Sequence, residues 1–216
     1  LIFAAPLGIL SALFIAEIAP SRIKEIMKPV VELLSGIPSV VYGLFGALVL
    51  APFVQRLFGL PTGLTAFSAA VILGIMILPT ITSVVEDVFS AIPKEYREAA
   101  LALGATTWET MTKIVLPAAS SGISTGIILG LGRAVGETMA VLMVAGGSPR
   151  IDLSLFKPIR AMTSTIAAEM AETVQGGAHF HTLFGIAVVL FIMTFAFNYL
   201  AGRISDRFQR RFAGRK

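Results

Sequence analysis

The sequence predicts an all-α integral membrane protein, and three observations point to this fold class. The chain of 216 residues is 56% hydrophobic and only 14% charged, with a mean hydropathy of +0.85, whereas a soluble domain is about half apolar and about a quarter charged. It contains five apolar stretches of roughly the length that a helix needs to cross a bilayer. Strands would leave backbone groups unpaired in lipid at an open sheet edge, so we expect helices.

The five predicted spans are Leu1–Ile18, Pro29–Pro52, Leu64–Val85, Ala118–Ala145 and Thr182–Ala201. Leu1 lies inside an apolar run that has no initiating Met and no basic leading segment, which is not how a signal peptide begins. We therefore expect residues 1–216 to come from a longer chain whose N-terminal part precedes Leu1.

The basic residues predict the orientation of these spans, because cytoplasmic loops of membrane proteins carry an excess of lysine and arginine. Twelve of the seventeen basic residues lie on one side of the predicted membrane: Arg22, Lys24, Lys28, Lys94, Arg97, Lys113, Arg203, Arg207, Arg210, Arg211, Arg215 and Lys216. The opposite loops carry Arg56, Arg150, Lys157 and Arg160. The loop 86–117 and the C-terminal tail are therefore predicted to be cytoplasmic, with the tail on anionic lipid rather than on nucleic acid.

Residues 93–117 belong to this cytoplasmic loop, and their sequence predicts two short helices. Pro93 suits the first turn of a helix, and Gly104 is placed to end that helix in a left-handed conformation. Thr106 and Glu109 form the pattern of a capping box that starts the second helix. The loop is thus predicted to project from the membrane as a helix–turn–helix.

The same loop is similar to the EAA signature of ABC importer permeases. The residues that match this signature, at its spacing, are Glu98, Ala99, Ala100, Gly104, Ile114, Leu116 and Pro117. The resemblance implies the five-helix core of a type I importer transmembrane domain (MetI-like), with a cytoplasmic coupling helix that sits in a groove of a separate ATPase subunit. It also implies the residues that couple to that ATPase: Glu98, Ala99, Ala100 and Gly104. The alternative is an ordinary amphipathic loop between two spans.

The sequence carries no motif of its own for binding ATP. It lacks the G-x4-GK[ST] loop that cradles nucleotide phosphates. The glycine run 130–136 has one residue too many for a dinucleotide-binding turn, and no strand precedes it. We therefore expect a permease subunit rather than an enzyme, with no cofactor in this chain and ATP hydrolysis by a partner.

Two ionisable residues, Arg133 and Glu137, lie inside the fourth predicted span. Their spacing of four would place them on one face of a helix, and each charge at mid-membrane costs about 2.5–3.5 kcal/mol on insertion scales. Arg133 can present a forked donor to an oxyanion, and Glu137 could accept a hydrogen bond from a protonated phosphate or orient Arg133. The pair is a candidate substrate pathway; a structural ion pair is the alternative. Glycines spaced by four in this span predict close helix packing: Gly122, Gly126 and Gly130, then Gly132 and Gly136.

Two further segments, Gly130–Val141 and Gly36–Gly46, resemble the phosphate-specific permeases of ABC importers, the PstC type more than the PstA type. The resemblance implies a multi-pass protein of the inner cell membrane and inorganic phosphate as cargo. It also implies three protein partners: a second, PstA-like permease, a PstB-like ATPase dimer and a PstS-like phosphate-binding protein. The alternatives are a permease for another oxyanion, such as sulfate or molybdate, and an ATP-independent secondary transporter.

The predicted outer loop, residues 146–181, is long. Apolar residues at helical spacing between Pro158 and Val174 predict an amphipathic helix that ends at Gly176 and offers a landing surface for a binding protein. His179 and His181 have no third ligand nearby in the sequence, and the chain has no cysteine. We therefore expect no metal site.

Overall fold

The computed structural model describes the backbone of residues 1–150 and 152–213, and the side chains of these residues except 204–213. The described backbone is helical apart from turns, loops and one isolated bridge between Gly146 and Ile159. Its helices are α1 (Ala4–Leu13), α2 (Ser21–Ser35), α3 (Ser39–Phe45), α4 (Ala51–Phe58), α5 (Ala66–Ala91), α6 (Lys94–Ala102), α7 (Thr107–Thr110), α8 (Leu116–Ala118), α9 (Ser120–Gly136), α10 (Met139–Val144), α11 (Met162–Glu169) and α12 (Ala178–Ala213). Three π-helical turns continue or join them: Phe14–Ile18, Gly46–Leu50 and Met111–Val115.

Within the described residues, three helices are long and apolar enough to cross a membrane: Ser39–Phe58, Ala66–Ala91 and Ala178–Arg203. A fourth candidate is the pair Thr107–Ala118 and Ser120–Gly136, whose two parts are bent by 66°. The helix Ala4–Ile18 is apolar but shorter, at about 22 Å for a rise of about 1.5 Å per residue. An apolar helix therefore occurs in each of the five predicted regions.

The chain forms two compact units. The first consists of Leu1–Gly36, Ile77–Leu131 and Asn198–Lys216, and the second of Ile37–Met76 and Gly132–Phe197. The buried apolar core of the first unit comprises Ala12, Leu13, Ile81, Val85, Phe89, Val115 and Ala119. This core joins the first apolar helix, the second half of α5 and the segment that follows α7.

In the first unit, glycines of α9 pack against α5, as their spacing predicts. A Cβ added to Gly122 would lie 2.2 Å from Cγ2 of Val88, and one added to Gly126 would lie 2.8 Å from Cγ2 of Val85. Gly130 repeats this arrangement one turn later. Only hydrogen fits at these positions, so the two helices approach more closely than larger residues would allow.

In the second unit, glycines of the helix Ser39–Phe58 pack against α10. A Cβ on Gly43 would lie 2.9 Å from Cα of Ala140, and one on Gly46 would lie 2.7 Å from Cγ2 of Val144. Ala140 and Val144 are both buried. Close backbone contact therefore fixes the short helix α10 on its neighbour.

The prediction for the second span is wrong at its start. The predicted span Pro29–Pro52 is divided, because α2 ends at Ser35 and the candidate span begins only at Ser39. Pro38 accounts for the division, since a proline disfavours helical conformation in the residue before it and has no N–H to donate. A helix long enough to cross a bilayer begins after this proline, at Ser39, and continues to Phe58.

The prediction of one continuous fourth span, Ala118–Ala145, is also wrong. α9 ends at Gly136, and α10 begins only at Met139. The second glycine pair, Gly132 and Gly136, does not pack as predicted: a Cβ added at either would meet nothing within 4 Å. The space around Gly132 and Gly136 is therefore open. Each of these glycines directly precedes one residue of the predicted charged pair, Arg133 or Glu137.

The helix predicted in the outer loop is shorter than expected. It covers Met162–Glu169 with one 3-10 turn at Met170–Glu172, instead of Pro158–Val174. Gly176 follows this helix with φ +78°, in the left-handed region. The basic residues predicted for the tail beyond Arg203 lie outside the described side chains.

Candidate functional site

The helix α6 ends where the sequence predicts, whereas Pro93, which is expected in its first turn, is its N-terminal cap. Pro93 precedes its first residue, Leu103 is its C-terminal cap, and Gly104 has φ +84°. The N–H of Ala105 donates to O of Ala100 at 3.1 Å, and the N–H of Gly104 donates to O of Leu101 at 3.0 Å. These two bonds form a Schellman motif, and the left-handed φ explains why a glycine stands at position 104.

The capping box predicted at Thr106 and Glu109 is present. The N–H of Glu109 donates to Oγ1 of Thr106 at 3.2 Å, and the N–H of Thr106 donates to Oε2 of Glu109 at 3.1 Å. The other carboxylate oxygen of Glu109 lies 2.8 Å from Nζ of Lys113. Two helices separated by a fixed turn therefore form this loop, and the reciprocal bonds hold the start of the second.

The structure places the four predicted coupling residues on different faces of the loop. Glu98, Ala99 and Gly104 are exposed, whereas Ala100 is only 3% exposed and faces its own unit. A partner protein therefore cannot contact Ala100 without rearrangement. The small side chain at this position serves packing within the unit.

Four large apolar side chains of the same loop lie outside the predicted coupling residues and are exposed: Tyr96 (56%), Leu101 (51%), Leu103 (90%) and Trp108 (65%). We call these four residues the docking patch. They lie on short helices and turns outside the long apolar helices, among charged residues such as Lys94 and Glu95. Large apolar residues within a polar loop are the signal in the sequence that could have identified this patch, because exposed apolar clusters mark interaction sites.

An ion-pair cluster next to this loop fixes α2 to the end of α5. Nζ of Lys28 lies 2.6 Å from Oδ1 of Asp87 and 2.8 Å from Oε2 of Glu86, and Nζ of Lys24 lies 3.5 Å from the other oxygen of Glu86. The hydrogen bonds to Asp87 and then Glu86 raise the pKa of the Lys28 ammonium. Lys28 thus stays charged at physiological pH.

The predicted charged pair does not share one helical face. Arg133 lies in the last turn of α9, whereas Glu137 lies in the break after Gly136. Oε1 of Glu137 accepts hydrogen bonds from the backbone N–H groups of Thr138 (3.1 Å) and Ala140 (3.0 Å). Its carboxylate therefore satisfies donors at the start of α10 that have no partner within that helix.

Side chains of α11 complete the hydrogen bonding of this break. Oγ1 of Thr163 donates to the backbone oxygen of Glu137 at 3.0 Å, and Oγ of Ser164 donates to that of Thr138 at 3.4 Å. Non-helical backbone at membrane depth is stable only where such groups are satisfied within the protein. The break is thus a defined element of the second unit.

Arg133 is half-buried in the last turn of α9. A cation at this position suits the helix dipole, because the C-terminal end of a helix carries partial negative charge. Tyr42 on α3 belongs to the same unit and is only 9% exposed.

Within the described part of the chain, no group of three or more His, Cys, Asp or Glu side chains is arranged to hold a metal ion. His179 instead contacts a carboxylate, with Nε2 3.0 Å from Oε2 of Glu169. The other carboxylate oxygen of Glu169 pairs with Nη1 of Arg160.

Comparison with known proteins defines the class. Residues 4–214 match the family of binding-protein-dependent transport system inner membrane components. The chain belongs to this family, so it is a permease subunit of an ABC importer.

Several relatives are phosphate transport permeases. The chain is 40% identical over 230 residues to the phosphate transport system permease protein PstC of Mesorhizobium japonicum, with 96% of this chain and 70% of that protein covered. It is 42% identical over 206 residues to the probable ABC transporter permease protein YqgH of Bacillus subtilis, with 95% and 67% covered. The chain thus spans about two thirds of the length of these relatives.

Solved importer structures share the fold. A methionine ABC transporter, MetNI, in an inward-facing conformation superimposes with a TM-score of 0.72 at 20% identity, covering 96% of this chain and 88% of that one. A bacterial alginate ABC transporter gives a TM-score of 0.68 at 17% identity, covering 96% and 74%. The predicted MetI-like helical fold is therefore confirmed.

Proposed function

We propose that this chain is the PstC-like transmembrane subunit of an ATP-driven phosphate importer and that it works with a separate ATPase. The observation that carries the proposal is the 36–40% identity to several PstC permeases over 90–98% of the chain. A similarity of this extent covers both the cytoplasmic loop and the helix break. Phosphate is accordingly the substrate that we expect this subunit to conduct.

The docking patch supports dependence on a separate ATPase. Leu103 and Trp108 expose 90% and 65% of their surface, which in an aqueous compartment favours burial against a partner. Glu98 and Ala99 are exposed beside them and remain the proposed polar and small contacts, while Gly104 provides the turn. We place the ATPase on this surface, with the loop and the C-terminal tail in the cytoplasm.

The helix break supports a substrate pathway near Arg133. In transporters, substrate sites commonly occur where membrane helices are discontinuous, and a guanidinium can bind phosphate oxygens through two parallel hydrogen bonds. We assign phosphate binding to Arg133. Glu137 holds the break in shape through the N–H groups of Thr138 and Ala140 and so positions the pathway rather than the anion.

The complete transporter would contain a second, PstA-like permease, a PstB-like ATPase dimer and a PstS-like phosphate-binding protein outside the membrane. ATP binding would close the ATPase dimer and move α6, and the permease pair would open outward to receive phosphate. Hydrolysis would then reset the permeases. This chain forms and breaks no covalent bond in the cycle.

The substrate is tested by competition in membrane vesicles that contain all four components. Uptake of labelled phosphate should fall when unlabelled phosphate is added and stay unchanged with an equal concentration of sulfate or molybdate. A preference for sulfate or molybdate would contradict the phosphate assignment and leave an importer of another oxyanion.

A further inference from the structure

Arg97 of α6 joins three parts of the first unit. Its Nε donates to Oε2 of Glu17 at 2.9 Å, and its Nη2 donates to the same carboxylate. The guanidinium also donates to main-chain oxygens: Nη2 to Phe89 at 2.9 Å and Nη1 to Ile92 at 2.7 Å. One side chain thus ties α6 to the end of the helix Ala4–Ile18 and to the end of α5.

Glu17 stands where an unpaired carboxylate would be unfavourable. It lies in the last turn of the helix Ala4–Ile18, where negative charge opposes the helix dipole. Its side chain is only 9% exposed, and a buried charge without a partner is strongly destabilising. Hydrogen bonding to Glu17 raises the pKa of the Arg97 guanidinium, so the cation that Glu17 needs is permanent.

The two faces of α6 carry different residues. Arg97 and Ala100 are three positions apart and face their own unit, where Ala100 is buried. Glu98, Ala99 and Leu101 are exposed. The exposed face is available to a partner, while the opposite face is held to the ends of two apolar helices through Arg97.

We propose that Arg97 is a positioning residue that fixes α6 to the ends of the helix Ala4–Ile18 and of α5, so that these segments move together when a partner displaces α6. The inference rests on the proposed function, in which an ATPase acts on this helix. The planar fork strengthens this link, because a lysine carries the same charge on a single nitrogen, from which its N–H groups cannot reproduce both the two bonds to the carboxylate and the bonds to two separate carbonyls.

The first test measures phosphate imported per ATP hydrolysed, using the complete transporter in proteoliposomes. We expect Arg97→Gln to lower this ratio about tenfold, within the roughly 5- to 150-fold range of coupling between sites. ATPase binding and ATP hydrolysis should persist. Arg97→Lys should give an intermediate ratio. Lys113→Gln, which removes an exposed ion pair of the same loop, is the matched control and should leave the ratio unchanged.

A double-variant cycle tests whether Glu17 and Arg97 act through one contact. Groups in one network are not additive, so Glu17→Gln combined with Arg97→Gln should lower the ratio no further than Arg97→Gln alone. Effects that multiply would contradict the proposal. So would variants that reduce only the amount of transporter in the membrane while each remaining complex keeps the wild-type ratio.

A second measurement does not depend on transport. Residues 1–216 contain no cysteine, so spin labels at Leu10→Cys and Glu95→Cys, with any cysteine elsewhere in the transporter replaced by serine, report the distance between α1 and α6. Arg97→Gln, or Arg97→Lys if the former is lost from the membrane, should broaden that distance distribution relative to the unsubstituted arginine. An unchanged distribution would overturn the proposal. Failure of the wild-type transporter to import phosphate would instead refute the proposed function and leave this result standing.

Discussion

Oε1 of Glu137 accepts a hydrogen bond of 3.0 Å from the backbone N–H of Ala140, the second residue of α10. A carboxylate in the break after α9 thereby caps the start of the next helix. An ionisable residue at membrane depth is costly, and this contact gives Glu137 a structural role.

The effect of substituting Glu137 on stability and uptake should therefore depend on whether the new side chain can accept a hydrogen bond. Glu137→Ala removes the cap, which costs about 0.5–2 kcal/mol for typical N-terminal caps, and should lower both thermal stability in detergent and phosphate uptake. Glu137→Gln keeps an accepting oxygen and should retain most of both. Equal loss of uptake in the two variants, with stability unchanged, would show that the charge contacts the substrate.

Arg133→Gln should abolish phosphate uptake and leave the complex with the ATPase intact. A hydrogen bond to a charged group is worth about 1.5–3 kcal/mol, which corresponds to about a 10- to 150-fold loss in binding for each of the two bonds that the guanidinium can form. Arg133→Lys should retain part of the uptake, since it keeps the charge without the fork. Uptake and co-purification are measured on the same membranes. Loss of the complex itself would favour a structural ion-pair role for Arg133.

Leu103→Asp should prevent binding of the ATPase without unfolding the permease. Leu103 is 90% exposed, so its replacement removes no internal packing, while a charge at an apolar contact opposes docking. Trp108→Ala should weaken binding to a smaller extent. Co-purification with the ATPase measures the effect, and Lys113→Gln serves as the control. Normal ATPase binding by Leu103→Asp would exclude the docking patch as the contact surface.

Gly122→Val should reduce the amount of folded permease in the membrane, because even a Cβ at this position would lie 2.2 Å from Val88. Gly132 lies four residues before the end of α9, and a Cβ added there would meet nothing within 4 Å. Gly132→Ala should therefore leave the amount of folded permease unchanged. Gly122→Ala should also reduce the amount of folded permease, and the second substitution Val88→Ala, which removes the two Cγ atoms nearest the new Cβ, should restore part of it. Membrane abundance and detergent melting temperature check all three outcomes, and equal loss at positions 122 and 132 would contradict the packing.

Composition and hydrophobic stretches were sufficient to predict the helical membrane fold, and local rules predicted the loop. Gly104 and the Thr106–Glu109 box each act through bonds to near neighbours, so their spacing determines the geometry. The break at Glu137 could not be predicted this way. It depends on Thr163 and Ser164, which are 26 residues away in the sequence.

The proposed functional residues divide in the same manner. The match to the EAA signature proposes Glu98, Ala99, Ala100 and Gly104 alike, but it does not show that Ala100 faces inward, since burial depends on how the loop packs on its unit. The sequence predicts only that Arg97 is one of the basic residues on the cytoplasmic side. Its partner Glu17 is 80 positions away, so only the fold reveals the contact.

The central claim is that this chain conducts phosphate by using ATP hydrolysis in a separate subunit. The most direct measurement is uptake of labelled phosphate into proteoliposomes that contain both permeases, the ATPase and the binding protein, with ion gradients dissipated by ionophores. We predict uptake with ATP, none with a non-hydrolysable analogue, and none when this chain carries Leu103→Asp. Phosphate uptake that continues without ATP hydrolysis, or that requires an ion gradient, would contradict the account.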